Sequence, residues 1–402
     1  MSSSMASRMS RLGTESAFTI LSEAQALERE GRRIVHLEIG EPDFPTPPHI
    51  VEAAVSALGA GETHYVPAGG ILSLREAVTA FLSARRGLTC SPEQVVVTPG
   101  AKPIMFFTML ALVEAGDEVI YPDPGFPMYE SIAAFTGATP VPLPLREENG
   151  FRVDPEELES LVTERTKLLV LNSPHNPCGS ALSAAECEAI AEVAIRHDLH
   201  VLSDEVYWAL RYDGRHASVL DLDGMAERTV LLDGWSKTFA MTGWRLGFGV
   251  LPAHLVEPVT RLVVNSVSCT SSFSQRAAIA ALEGPFEPVE EMVATFATRR
   301  DVLVDGLNAI PGISCRRPDG AFYAFPDVRA LGLSSLELQE ELLTEAGVAC
   351  APGTAFGRAG EGYLRLSYAN SVENLEAALA AIAAFVERLA DRAPAGASTP
   401  VS

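Results

Sequence analysis

The stretch from Leu231 to Val250, LLDGWSKTFAMTGWRLGFGV, sets one lysine, Lys237, among small and apolar residues. Ser236 precedes it, and Arg245 follows eight positions later. A desolvated lysine gives up its proton more readily, and its free amine can then form a Schiff base with a carbonyl. Arginine offers a planar fork of donors suited to a phosphate. An amine for an aldehyde and a cation for a phosphate are the two anchors that pyridoxal phosphate needs. The plainer reading of the same residues is a strand, a loop and an edge strand, with a surface lysine and a surface arginine.

Three further groups decide between these readings, each at the end of an expected strand. Thr98-Pro99-Gly100-Ala101-Lys102 turns from strand to helix, so its N–H groups and helix dipole can hold an anion. It lacks the GxxxxGK spacing of a nucleotide-binding loop. Asn172-Ser173-Pro174-His175-Asn176-Pro177 follows a buried strand and reads as a rigid turn or as a fixed amide donor aimed at a ligand. Ser203-Asp204-Glu205-Val206-Tyr207 follows another, and an aspartate at that depth needs a partner, which a pyridinium nitrogen would supply. Each group alone has a structural explanation. Several at successive strand ends point to one site.

The elements that must position them alternate. Residues 14–30 read as a helix stopping at Gly31, and helix 48–58 follows a proline-rich turn. Residues 94–125 read as strand, turn, helix, glycine stop and second strand, a βαβ unit. A short strand is expected at 140–145, and Asp154-Pro155 starts a helix. Ser183 and Glu186 form a capping box for a helix to about Arg196. Such alternation implies a largely parallel sheet covered on both faces, with ligands beyond the carboxyl ends of its strands. After about residue 290 the pattern becomes α+β, with strands near 313–316, 321–325 and 363–368 and helices at 334–346 and 371–390. The expected organisation is a disordered tail 1–13, a segment 14–45 joining a small domain, a large domain 46–289, the small domain 290–390 and a disordered tail 391–402.

Composition limits the function. The 402 residues are 47% hydrophobic and 20% charged, which describes a packed globular protein of two or three domains. A formal charge of −22 argues against broad nucleic-acid or anionic-membrane binding. No apolar run reaches membrane-spanning length, and the Ser-rich start lacks a signal-peptide core. The six cysteines are scattered without a CxxC pair, so a reducing cytoplasm is the expected setting and no metal site is expected. His197 and His200, three apart, have no third ligand nearby and read as surface residues.

The stretches LEIGEPDFPTP, HYVPAGG, TPGAK, NSPHNPCG, SDEVY, SKTFAMTGWRLG and YLRLSYA together resemble the fold-type I, class I/II aminotransferases, of the aspartate aminotransferase-like subgroup, over roughly residues 14–390. The resemblance implies an α/β large domain, with a mostly parallel seven-stranded sheet between helices, and a smaller α+β domain built from both termini. It implies pyridoxal 5'-phosphate bound to Lys237, with Asp204 on the ring nitrogen and Tyr207 and Asn176 on the phenolic oxygen. Phe126 would stack on the ring. Gly100, Ala101 and Lys102, with Arg245, would hold the phosphate. Tyr65 would reach the phosphate of a neighbouring subunit, which implies a homodimer with shared sites. Arg365 would clamp the substrate α-carboxylate beside the Gly40 backbone, and Asn176 also faces substrate.

Two positions depart from the family pattern. Gly234 stands where many relatives carry a phosphate-binding serine, and Ser236 or water is expected to replace that contact. Cys178 replaces a threonine. The implied reaction is transamination between an L-amino acid and a 2-oxo acid. Lys102, at the equivalent place in aspartate-using members, contacts the distal carboxylate, which favours dicarboxylic pairs. Phe18 and Trp208 could instead shape a pocket for neutral or aromatic donors. A β-lyase on the same cofactor is a second reading. A regulator built on this fold is a third, and it needs a DNA-binding module for which the chain leaves no room before Leu37.

Overall fold

Seven short runs rich in Val, Leu and Ile become one sheet in the computed structural model, which describes residues 5–392. Across the sheet the order is Val95–Thr98, Gly247–Val250, Thr229–Gly234, His200–Asp204, Thr166–Asn172, Glu118–Asp123 and Thr139–Pro144. The last five strands are mutually parallel, and Gly247–Val250 runs antiparallel to both of its neighbours. The inner strands are almost wholly buried, as a sheet covered on both faces requires. Thr139–Pro144 has a proline at every second position, Pro140, Pro142 and Pro144, and it closes one edge. Proline cannot donate to a further strand, so it suits an edge.

Side chains alternate between the two faces with the period of a strand. Val170, Leu202, Val230 and Leu232 pack with Ile104, Met105, Val259 and Val263 from helices Lys102–Leu112 and Ala253–Ser266. Leu169, Leu171 and Val201 pack on the opposite face with Cys187, Ile190 and Ala194 from helix Ala184–Arg196. That helix starts at the expected capping box. Ser183 Oγ accepts from the Glu186 N–H at 3.2 Å, and Glu186 Oε2 accepts from the Ser183 N–H at 2.7 Å.

This sheet belongs to a first unit comprising residues up to Thr14, Glu41–Thr295 and Asp319–Ala321. A second unit comprises Glu15–Gly40, Phe296–Pro318 and the chain from Phe322 on. Within it, Leu364–Ser367 lies between Ala351–Pro352 and Tyr323–Ala324, antiparallel to both. Val35–His36 pairs in parallel with Val348–Ala349, which ties the N-terminal segment to this unit. Helix Val372–Arg392 completes it.

Several local expectations change. Residues 5–13 are not a featureless tail. Ser7–Arg11 forms a 3-10 turn, and the Gly13 N–H donates to Ser131 Oγ at 2.8 Å, so a side-chain acceptor anchors the segment. The stretch 313–316 contributes one isolated bridge, Ser314 to Asp327, in place of a strand. Residues 41–45 and 290–295 group with the first unit. Most of the expected tail 391–402 lies outside the described residues.

Candidate active site

Strand register brings the chemistry to one edge. Asn172 is the partner of Asp204 in the ladder, and Gly247 is the partner of both Gly234 and Thr98. The carboxyl ends of the strands therefore deliver TPGAK, NSPHNP, SDEVY and DGWSK to the same side of the sheet, where α/β folds hold ligands.

Lys237 sits in a short helix, Trp235–Thr238. Trp235 and Thr238, three apart, are buried, and the Trp235 indole N–H donates to the Ala278 carbonyl at 3.2 Å. That anchoring leaves Ser236 and Lys237 half-buried on the other side of the helix. The Lys237 Nζ lies 6.0 Å from the centre of the Tyr207 ring, and Tyr207 itself is buried.

Asp204 is buried, and burial raises its pKa to about 6. A hydrogen bond from the Tyr129 hydroxyl at 2.7 Å, the Val206 N–H and the charge of Lys237 pull it back down. Tyr129 is a partner of Asp204 that sequence reasoning missed. No local signal marked it, because it meets Asp204 across 75 positions from the first turn of helix Met128–Thr136, just after Phe126. The Phe126 and Tyr129 rings meet edge to face at 5.7 Å. Asn176 is buried, its N–H bonded to the Asn172 side chain at 2.8 Å, and the Asn172 amide in turn donates to the Asp204 carbonyl at 3.0 Å.

Glu205, next to Asp204, is also sealed in, yet its pKa falls to about 2. Burial pushes it up, but Arg86 and His216 outweigh burial, with Ser218 and Ser203 also donating to its oxygens. Arg86 also donates to Asp233 at 3.2 Å. Asp233 has one guanidinium contact and the Gly234 N–H, and burial raises its pKa to about 7.

The features expected to bind phosphate are built largely from backbone. Gly100 has φ +88°, and a Cβ there would stand 2.2 Å from Arg245 Nη2. Arg245 is exposed and occupies the left-handed region at φ 55°, a strained state for a non-glycine residue that recurs at ligand sites. Its guanidinium donates to the Thr242 carbonyl at 2.9 Å and to the Pro99 carbonyl at 3.4 Å. Arg245, Pro99, Trp244, Ser271 and Ser274 line a cavity of about 490 Å³. Gly247 is required as well, since a Cβ would fall 2.3 Å from the Ala101 nitrogen. At Gly234 a Cβ would stand 3.0 Å from the Leu246 carbonyl and 3.1 Å from the Gly247 Cα, a close fit between paired strands. Lys102 opens the helix after the turn, with its Nζ 5.3 Å from the Phe126 ring centre. A buried carboxylate, an adjacent lysine and a phosphate-sized backbone cradle with a guanidinium fit the pyridine, aldehyde and phosphate of the expected cofactor.

Two expected residues lie in the second unit. Arg365 is buried between the rings of Tyr323 and Phe356, at 4.6 and 4.8 Å, and donates to the Glu38 carbonyl. Gly40 lies against Tyr323, whose hydroxyl a Cβ at Gly40 would meet at 2.0 Å. Tyr65, in the first unit, is 89% exposed. Trp208 is a correction. It packs against Phe81 and Phe286 and beneath Arg86, and it lines a separate cavity, so it does not shape a donor pocket at Lys237. His197 pairs with Glu159 at 3.1 Å, and His200 lies 5.6 Å from the His254 ring. Among the described residues no group of His, Cys, Asp or Glu is placed to hold a metal.

Fold and edge cluster together define the class, a fold-type I enzyme that works with pyridoxal phosphate. Residues 32–382 match the family model for aminotransferase class I and II, and the chain belongs to that family. It is 44% identical over 350 residues to an aromatic-amino-acid aminotransferase from Thermococcus litoralis, covering 86% of this chain and 90% of that one. It is 39% identical over 383 residues to an aspartate aminotransferase from Musicola paradisiaca, covering 94% and 96%. The structure of a Thermus thermophilus aspartate aminotransferase with maleate superposes with a TM-score of 0.91 at 38% identity, covering 94% and 99%. The protein is therefore a transferase that moves an amino group between an amino acid and a 2-oxo acid.

The Tyr129 hydroxyl stabilises the ionised form of Asp204, so Tyr129→Phe raises the Asp204 pKa above about 6. The acid limb of the pH profile of kcat/KM then moves to higher pH, because more Asp204 is protonated at a given pH. An unmoved limb would remove Tyr129 from this role.

Proposed function

We propose that this aminotransferase prefers dicarboxylic pairs, aspartate or glutamate with 2-oxoglutarate or oxaloacetate. The observation that carries this is Lys102, an exposed residue that opens the helix after the turn with its ammonium 5.3 Å from the centre of the Phe126 ring. Phe126 is proposed to cover the cofactor ring, so a cation beside it is within reach of a substrate's distal carboxylate. Relatives named as aspartate aminotransferases agree with this reading. A relative named as an aromatic-amino-acid aminotransferase supports a second reading, in which the donor side chain is aromatic.

The residue roles proposed here are those the family pattern implies, and the contacts within each unit support them. Pyridoxal phosphate, when bound, supplies the electron sink for charge released at the substrate α-carbon. Lys237 Nζ would hold the cofactor and, once the substrate amine has displaced it, would take the proton from the substrate α-carbon and deliver it to the carbon that was the cofactor's aldehyde. Ser236, the residue before Lys237, is proposed to contact the phosphate. Asp204 stays ionised to keep a proton on the ring nitrogen, and Tyr129 and the Val206 N–H hold it in that state. Tyr207 and Asn176 donate to the phenolic oxygen. Gly100, Ala101 and Lys102 backbone groups and Arg245 bind phosphate, where a helix start favours an anion. Arg365 grips the substrate α-carboxylate with a fork that two rings already orient, and the Gly40 backbone lies beside it. Asn176 also faces the substrate.

The assembly we propose is a homodimer in which Tyr65 completes the partner's phosphate site, which accounts for its exposure in a single chain. The proposed compartment is the reducing cytoplasm, consistent with free cysteines at all six positions, and cell fractionation tests it.

Borohydride reduction of the loaded enzyme places the reduced cofactor on the Lys237 peptide. Lys237→Ala still folds but loses turnover by orders of magnitude, since one amine serves two steps. Label on another lysine would displace the assignment. Lys102→Met weakens kcat/KM for dicarboxylic substrates by roughly 1–3 kcal/mol, the scale of a charge-assisted hydrogen bond, and spares alanine and phenylalanine. An equal loss for all donors would assign Lys102 to the cofactor instead. Tyr65→Ala and Lys237→Ala subunits, each inactive alone, regain activity when mixed, because one site of the hybrid carries both lesions and the other carries none. Hybrids that stay inactive would place Tyr65 in its own subunit's site.

A further inference from the structure

The first unit contains a second cavity, of about 400 Å³, lined by none of the residues assigned to the cofactor. Its wall is cationic. Arg85, Arg86, Arg211 and Arg215 line it, against one carboxylate, Asp221. In a chain with 52 acidic and 30 basic residues, four guanidinium groups around one concavity run against the overall balance.

The contacts that hold these arginines sort them into two kinds. Arg86 is neutralised by Glu205 and Asp233. The other three are oriented without being neutralised. Arg85 lies 4.3 Å over the Phe286 ring. Arg211 donates to the Asp213 carbonyl at 2.8 Å and the Leu182 carbonyl at 3.2 Å, and Arg215 to the Arg86 carbonyl at 2.8 Å. A guanidinium has five N–H donors, so each retains donors for a further acceptor.

His216 lines the same cavity with its side chain 6% exposed. Its Nε2 lies 2.8 Å from Glu205. Burial lowers the pKa of the imidazole, against the pull of Glu205, so the neutral ring adds no charge to the wall.

We infer that this cavity is a binding site for a small organic polyanion, one that carries two or more carboxylate or phosphate groups. Its volume is in the range of small-molecule sites. Three fixed forks match carboxylate or phosphate oxygens. The stacked pair of Trp208 and Phe286, 6.3 Å apart, supplies an apolar wall for the ligand's carbon skeleton.

The test is calorimetric titration of the cofactor-loaded enzyme at low salt with two probes, citrate and pyrophosphate. At least one of them binds saturably. Arg85→Gln/Arg215→Gln weakens that binding by about tenfold or more while turnover stays unchanged. Binding of citrate alone identifies a carboxylate site, and binding of pyrophosphate alone a phosphate site. Arg211→Gln provides an independent variant should the double change lower the melting temperature. No saturable binding of either probe overturns the inference. So does equal affinity in the variants, which would place the anion at the catalytic site.

Discussion

A carboxylate sealed at the end of a central strand is the constraint to which the first unit answers. Ionising a buried group is costly unless hydrogen bonds or opposite charge replace the lost water. Asp204 and Glu205 are consecutive and both buried, yet their pKa values move in opposite directions, to about 6 and about 2. The difference lies in the donors. Glu205 has Arg86, His216, Ser203 and Ser218, whereas Asp204 has the Tyr129 hydroxyl and one backbone N–H. Glu205 is fully compensated, as a structural ion pair must be. Asp204 is left short of one cationic donor, which is the condition that suits a carboxylate meant to meet a pyridinium.

Arg86 joins two strand ends through this arrangement. It bonds Glu205 after one strand and Asp233 at the end of the next, so the segments carrying Asp204 and Lys237 are tied through a single guanidinium. Its two terminal nitrogens each serve one carboxylate, a planar spread that a lysine's single ammonium does not reproduce.

The phosphate end obeys a different rule, close approach of backbone. Gly100, Gly234 and Gly247 stand where strand ends and the anion-binding turn crowd one another, and at Gly100 and Gly247 a single methyl would collide with Arg245 or with the Ala101 backbone. At Gly234 the fit against the neighbouring strand is close but without such a collision. In the second unit a comparable preorganisation holds Arg365, which two aromatic rings and the Glu38 carbonyl orient.

The strands, the capping box at Ser183 and the motif residues at strand ends were legible because they depend on local periodicity and short spacings. Residues 32–382 carry the family pattern, so the resemblance extended that reading to the cofactor and the reaction. What lay beyond local reading was pairing at long separation. Tyr129 meets Asp204 across 75 positions and Arg86 meets Glu205 across 119, and no spacing rule connects them. Trp208 illustrates the same limit, since its neighbour Tyr207 faces Lys237 while Trp208 itself turns to Phe81 and Phe286. Local sequence determined which segments become strands and which residue types arrive at their ends. Only the tertiary structure decided which buried charges are compensated and which are left open, because desolvation and donor count depend on groups that the fold, not the chain order, brings together.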